Sequence, residues 1–145
     1  MTLQNLLGIS LDAIAPDKAQ VGKLLAAAQR NIQDAQLAAL SAENRFDAAY
    51  KAIMQLSMAA LHAHGFRTLT SKPGHHQTAI QSLTLTVNLP TSQVIVLDAL
   101  RKQRNLADYS GDVVPESTVT ACLESAVTLQ AYVREWLTRE KPELT

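Results

Sequence analysis

Ser41–Phe66 reads SAENRFDAAYKAIMQLSMAALHAHGF, and this stretch decides the fold. Phe46, Ala49, Tyr50, Ile53, Ser57, Ala60, Leu61 and His64 recur three or four residues apart. That spacing puts them on one face of a helix running from about Ser41 to His64. Ser41 is a natural cap, because its hydroxyl can accept from an otherwise unpaired N–H of the first turn. Gly65 stops the helix, since glycine adopts the left-handed conformation that helix ends favour. Ala49, Ser57 and Ala60 are small, so a neighbouring backbone can approach closely along this face.

Upstream, a first helix is expected from about Pro16 or Asp17 to about Leu40, with Pro and an acid in favoured first-turn positions. Val21, Leu24, Leu25, Ala28, Ile32, Ala35 and Ala39 form its apolar stripe. Residues 1–15 hold an apolar knot (Leu3, Leu6, Leu7, Ile9, Leu11, Ile14) that reads as an arm for packing or for dimerisation. Downstream, Phe66–His76 reads as a loop with a Lys-Pro-Gly turn. A short helix carrying Ile80, Leu83 and Val87 follows. Its LTLTV core alternates like a strand, but helix is preferred because its surroundings are helical. Thr91 or Ser92 is expected to cap a fourth helix carrying Val94, Leu97 and Leu100. A fifth helix starts near Pro115, carries Val119, Leu123, Ala126, Gln130, Val133 and Leu137, and ends at Pro142. Short connections favour antiparallel neighbours. The expected fold class is all-α: an up-and-down antiparallel bundle of four to five helices, one domain over residues 1–145.

Composition agrees with a folded domain. Of the 145 residues 47% are hydrophobic, enough burial to offset ordering entropy. Thirteen basic residues balance thirteen acidic ones, which argues against gripping a long nucleic acid by charge alone. The single Cys122 excludes an internal disulfide and reads as a small core residue. No run approaches about 18 uninterrupted apolar residues, so no membrane span is expected. The N-terminus has neither a basic start nor a cleavage-like site, so the expected location is the cytoplasm.

The chemistry concentrates in Leu97–Asp112, LDALRKQRNLADYSGD. Arg101, Arg104 and Asp108 fall along one side of the fourth helix, together with Leu97 and Leu100. A solvated Arg–Asp pair there would contribute only about 0.2–0.5 kcal/mol. The sharper alternative is a partly buried Arg104, held by Asp108 and Asn105, lining a cleft, because a guanidinium binds carboxylate or phosphate through two parallel hydrogen bonds. His62 and His64 point to different faces of their helix, and His75 and His76 sit where the loop meets the third helix. No three or four of these groups have metal-ligand spacing, so neither a metal nor another cofactor is expected. KPGHH could place a phosphate at a helix start, but one Gly and one Lys fit a turn better.

Three words taken together resemble the HEPN family (higher eukaryotes and prokaryotes nucleotide-binding domain): the AY-containing helix Ser41–Phe66, KPGHHQTAIQSL, and LDALRKQRNLADYS. The resemblance covers about Phe46 to Ser110. It implies a helical bundle that pairs into a homodimer, often as a toxin of a toxin–antitoxin module or as the partner of a small nucleotidyltransferase. Ribonuclease members carry an arginine, a polar residue and, four to six positions on, a histidine. Arg104 and Asn105 match the first two; Tyr109 stands at the nearest histidine position. A tyrosine titrating near about 10 is a poor proton carrier at neutral pH.

The favoured expectation is therefore a non-catalytic module binding RNA, a nucleotide or a protein through Arg101, Arg104, Asn105, Asp108, Tyr109, Tyr50, His75 and His76. Arg104 and Tyr109 are the candidate catalytic residues of the alternative, a metal-independent ribonuclease toxin with a rearranged site. A third possibility is a purely structural assembly bundle.

Overall fold

The computed structural model describes residues 2–145; Met1 of the expected arm lies outside them. Four long helices make the bundle: α1 (Lys18–Ala35), α2 (Ala42–Ala63), α5 (Thr91–Ser110) and α6 (Glu116–Glu140). Two short ones, α3 (His75–Gln81) and α4 (Leu83–Thr86), abut at Ser82 between α2 and α5. The fold is all-α apart from one small ribbon.

Helix directions follow from side-chain pairs. Asn31 donates to Gln55, and Arg45 donates to the Ala35 carbonyl, so α1 and α2 run antiparallel. Arg104 of α5 meets both Asp47 and Tyr50, while Arg45 pairs with Glu116 and His64 meets Trp136. The last two pairs advance together along α2 and α6, so these two are parallel. α5, which lies between α2 and α6 in sequence, runs back while those two pack directly on each other, and the long helices alternate in direction.

α2 is the axis of the molecule and touches every other helix. The face expected from its sequence is buried, with Phe46, Ala49, Tyr50, Ile53, Ser57, Ala60 and Leu61 all at most 2% exposed, and Ala52, Leu56 and Ala59 bury a further face. Ser57 stays on this apolar face because its hydroxyl donates to the Ile53 carbonyl one turn back, at 2.8 Å. Cys122 of α6 is fully buried, beside the Phe46 carbonyl. Asp17 and Ser41 cap α1 and α2 by accepting from Ala19 N and Asn44 N.

Leu83–Thr86 is helical, as expected. His64 pins it: its ring nitrogen lies 2.8 Å from the Thr86 carbonyl, and its ring stacks 4.9 Å from Trp136. Asn88 then turns the chain with φ +58°, a conformation that asparagine tolerates better than most residues. The Tyr132 hydroxyl bonds its carbonyl at 3.0 Å.

Three expectations are corrected. α1 ends at Ala35, not near Leu40; Leu37, Ala39 and Leu40 are exposed in the turn that follows, with no surface left to cover them. Thr91 and Ser92 do not cap α5: they lie inside its first turn, and Pro90 precedes it without a side-chain cap. Part of the expected loop is a strand. β2 (Phe66–Thr68) pairs antiparallel with β1 (Leu11–Ala13) of the N-terminal arm. The arm therefore packs on its own bundle, burying Leu3 and Leu11, while Leu7 and Ile9 stay outside. Gly65 makes the junction possible. With φ +85°, its N–H and C=O serve the helix end and Ile14 N, and a Cβ there would meet the Ile14 carbonyl at 3.2 Å.

Candidate functional site

The start of α3 and the middle of α5 leave a cleft of about 260 Å³ between them, lined by Gly74, His75, His76, Gln77, Arg101, Arg104 and Asn105. Gly74, at φ +77°, turns the chain into α3 so that the two histidines enter the cleft at once. Arg101 and Arg104 reach it because they continue the Leu97–Leu100 stripe that buries α5 against α2.

α2 forms the base. The Tyr50 ring, 1% exposed, lies under the Arg104 guanidinium, whose carbon sits 5.1 Å from the ring centre. That distance is within reach of a cation–π attraction. The Tyr50 hydroxyl is 3.1 Å from His76 Nδ1. The rings of His75 and His76 meet edge to face at 4.6 Å.

Each arginine is steadied by a carboxylate. Arg101 Nε donates to Asp98 Oδ1 at 2.8 Å, and Arg104 Nε donates to Asp47 Oδ1 at 3.2 Å. Asp108, the partner expected from spacing, stays 3.8 Å from Arg104 and is half exposed. Arg104 is thus held chiefly by Asp47 and Tyr50, both from α2, and makes no hydrogen bond with Asn105 among the described residues. The geometry commits the inner Nε of each guanidinium and leaves the terminal N–H groups without hydrogen bonds among the described residues, an arrangement that suits paired oxygens of a carboxylate or phosphate. Lys102 also lies near Asp98, at 3.6 Å. Around the cleft three cations face three carboxylates, so its field is local and short in range.

Burial sets the protonation states. It pushes Tyr50 up to about 12, against the opposing pull of Arg104 and Arg101, so the phenol stays protonated. Burial also lowers His76, and His75, Arg104 and Arg101 lower it further; its ring is neutral at pH 7. The Arg101 hydrogen bond holds the Asp98 carboxyl below the usual range.

The fold therefore brings Arg101, Arg104, Asn105, Tyr50, His75 and His76 to one place and leaves Asp108 at its margin. Tyr109 lies outside: it is 92% exposed and takes no part in the lining. Sequence reasoning missed Asp98 and Asp47. Asp98 was within reach, since it stands three before Arg101 and four before Lys102; nothing local marks Asp47. His62 and His64 lie away from the cleft, and among the described residues no three His, Cys, Asp or Glu side chains gather as metal ligands. A larger hollow of about 390 Å³ lies between α5 and α6, lined by residues such as Leu89, Val96 and Leu129, but it holds no cation or histidine. No helix of the described residues is long and apolar enough to cross a membrane.

Comparison with protein-family models, curated proteins and solved structures gave no significant match.

Proposed function

We propose that this chain is a HEPN-like module, acting as a homodimer, whose cleft binds the phosphate of a nucleotide or of RNA without cleaving it. The observation that carries this is the meeting of Arg101, Arg104 and Asn105 with His75 and His76 in one cleft, with the terminal guanidinium N–H groups making no hydrogen bonds among the described residues. Phosphate accepts hydrogen bonds from several directions, and arginine supplies them in a plane. The balanced charge of the cluster supports a discrete phosphate over a long polyanion, whose binding needs many uncompensated cations. Exposed Ile95, Val96, Leu106 and Tyr109 on α5 support pairing. The implied cellular setting, a toxin–antitoxin or nucleotidyltransferase system, follows from the resemblance alone.

The test is calorimetric titration with AMP and with a short oligoribonucleotide, alongside sedimentation. Binding that weakens at least tenfold in Arg104→Ala, a mass of twice the monomer, and intact RNA are the expected results. Absence of any binding would leave the assembly-bundle alternative.

One observation favours the ribonuclease reading: two histidines, 4.6 Å apart, stand beside Arg104, although the motif position holds Tyr109. Imidazoles exchange protons near neutral pH. RNA cleavage in the presence of EDTA, lost in both His76→Ala and Arg104→Ala, would establish it over the binding module.

A further inference from the structure

His76 can act in the cleft as a base or as a hydrogen-bond donor, and which nitrogen carries its proton decides. Tyr50 is buried at 1% exposure, and its hydroxyl has one hydrogen-bond partner among the described residues, His76 Nδ1. Of the other charged groups near it, Arg104 and Arg101 can only donate, and the Asp98 carboxylate accepts from Arg101 and makes no hydrogen bond with the hydroxyl. If Nδ1 carried the proton, the phenolic hydrogen would be buried with no acceptor, a costly arrangement. With the hydroxyl donating to Nδ1, only spare oxygen lone pairs go unused. The neutral ring must then carry its proton on Nε2. That nitrogen makes no hydrogen bond among the described residues, and His76 lines the cleft.

We propose that Tyr50 is a positioning residue that holds His76 as the Nε2–H tautomer, so that His76 donates to a phosphate oxygen alongside the arginines instead of abstracting a proton. The cleft then presents donors from Arg101, Arg104, Asn105 and His76. Its ligand class is a phosphate oxyanion, the chemistry shared by a nucleotide and an RNA backbone. This rests on the anion-binding reading above, but the tautomer is measurable without any ligand.

The experiment uses the full chain with ring-¹⁵N histidine. At pH 8, two-bond nitrogen–proton correlations of His76 are expected to show Nε2 protonated and Nδ1 bare, and Tyr50→Phe is expected to give a mixture. A protonated Nδ1 in the wild type, or an unchanged pattern in Tyr50→Phe, overturns the tautomer assignment. AMP and an oligoribonucleotide lacking terminal phosphates are then titrated in separate arms. A response to AMP alone assigns a terminal phosphate; a response to both assigns the backbone diester as well.

His76→Gln leaves Tyr50 in place and offers an amide N–H near the Nε2 position. It is expected to keep the affinity within about threefold, while His76→Ala loses about tenfold or more, the scale of one charge-assisted hydrogen bond. Equal losses in Gln and Ala overturn the donor role. The expected tautomer with no response to either ligand sinks the anion-binding reading and leaves the Tyr50–His76 assignment intact.

Discussion

Asp47 and Asp98 do for the two arginines what no feature of the RN motif could do alone. Each takes the inner Nε and thereby aims the outer edge of the guanidinium. Asp47→Asn is expected to weaken AMP binding several-fold, since the fork loses its orientation. Its effect on stability should stay below about 1 kcal/mol, because the pair is partly solvated; calorimetry and a thermal melt separate the two. Cys122 makes a second residue-scale prediction. Burial pushes its thiol up to about 12, so the native protein should resist thiol reagents and react only when unfolded. A third concerns pH. His62 and His76 are both lowered, chiefly by burial. Below the usual histidine value near 6.5, the unfolded chain takes up protons that the folded one refuses. Stability is therefore full above that pH and declines as pH falls through it. Melts between pH 7 and pH 5 should show this decline, shallower in His62→Gln; a flat profile would contradict it.

At the scale of elements, the corrections share a cause. β1 and β2 are three residues each, too short for an alternating pattern to be visible, and each is a strand only because the other is beside it. α1 ends at Ala35, before Ala39 and Leu40, although these continue its apolar run, because nothing covers them. Propensity and period report what a segment can do; contact decides what it does. The turn residues are sharper predictors. Gly65→Ala places a Cβ 3.2 Å from the Ile14 carbonyl at positive φ, and should cost about 1–3 kcal/mol in chemical denaturation while loosening the arm. Asn88→Gly should be nearly neutral at φ +58°, whereas a β-branched Asn88→Val should destabilise.

For the whole molecule, α2 is the shared wall, and damage to it should not stay local. Ile53 is fully buried in its centre. Ile53→Ala is expected to cost about 2–5 kcal/mol and to lower the melting temperature as a single transition, because one core serves all the helices. Two transitions would mean that the bundle does not fold as one unit.

What the sequence determined by itself was the set of long helices and the faces they bury, because a period of 3.6 residues is a local property of the chain. It also marked Arg104 and Asn105, and it marked His75 and His76 as neighbours at a helix start. Only the tertiary structure brought those two pairs into one cleft, set Tyr50 beneath them, excluded Tyr109, and supplied Asp47 from a helix some fifty residues earlier. The reason is physical. Helix packing is fixed by the apolar stripes, but which polar side chains meet at the edge of a packed face depends on the rotation and offset of the helices, and no spacing within one segment encodes that.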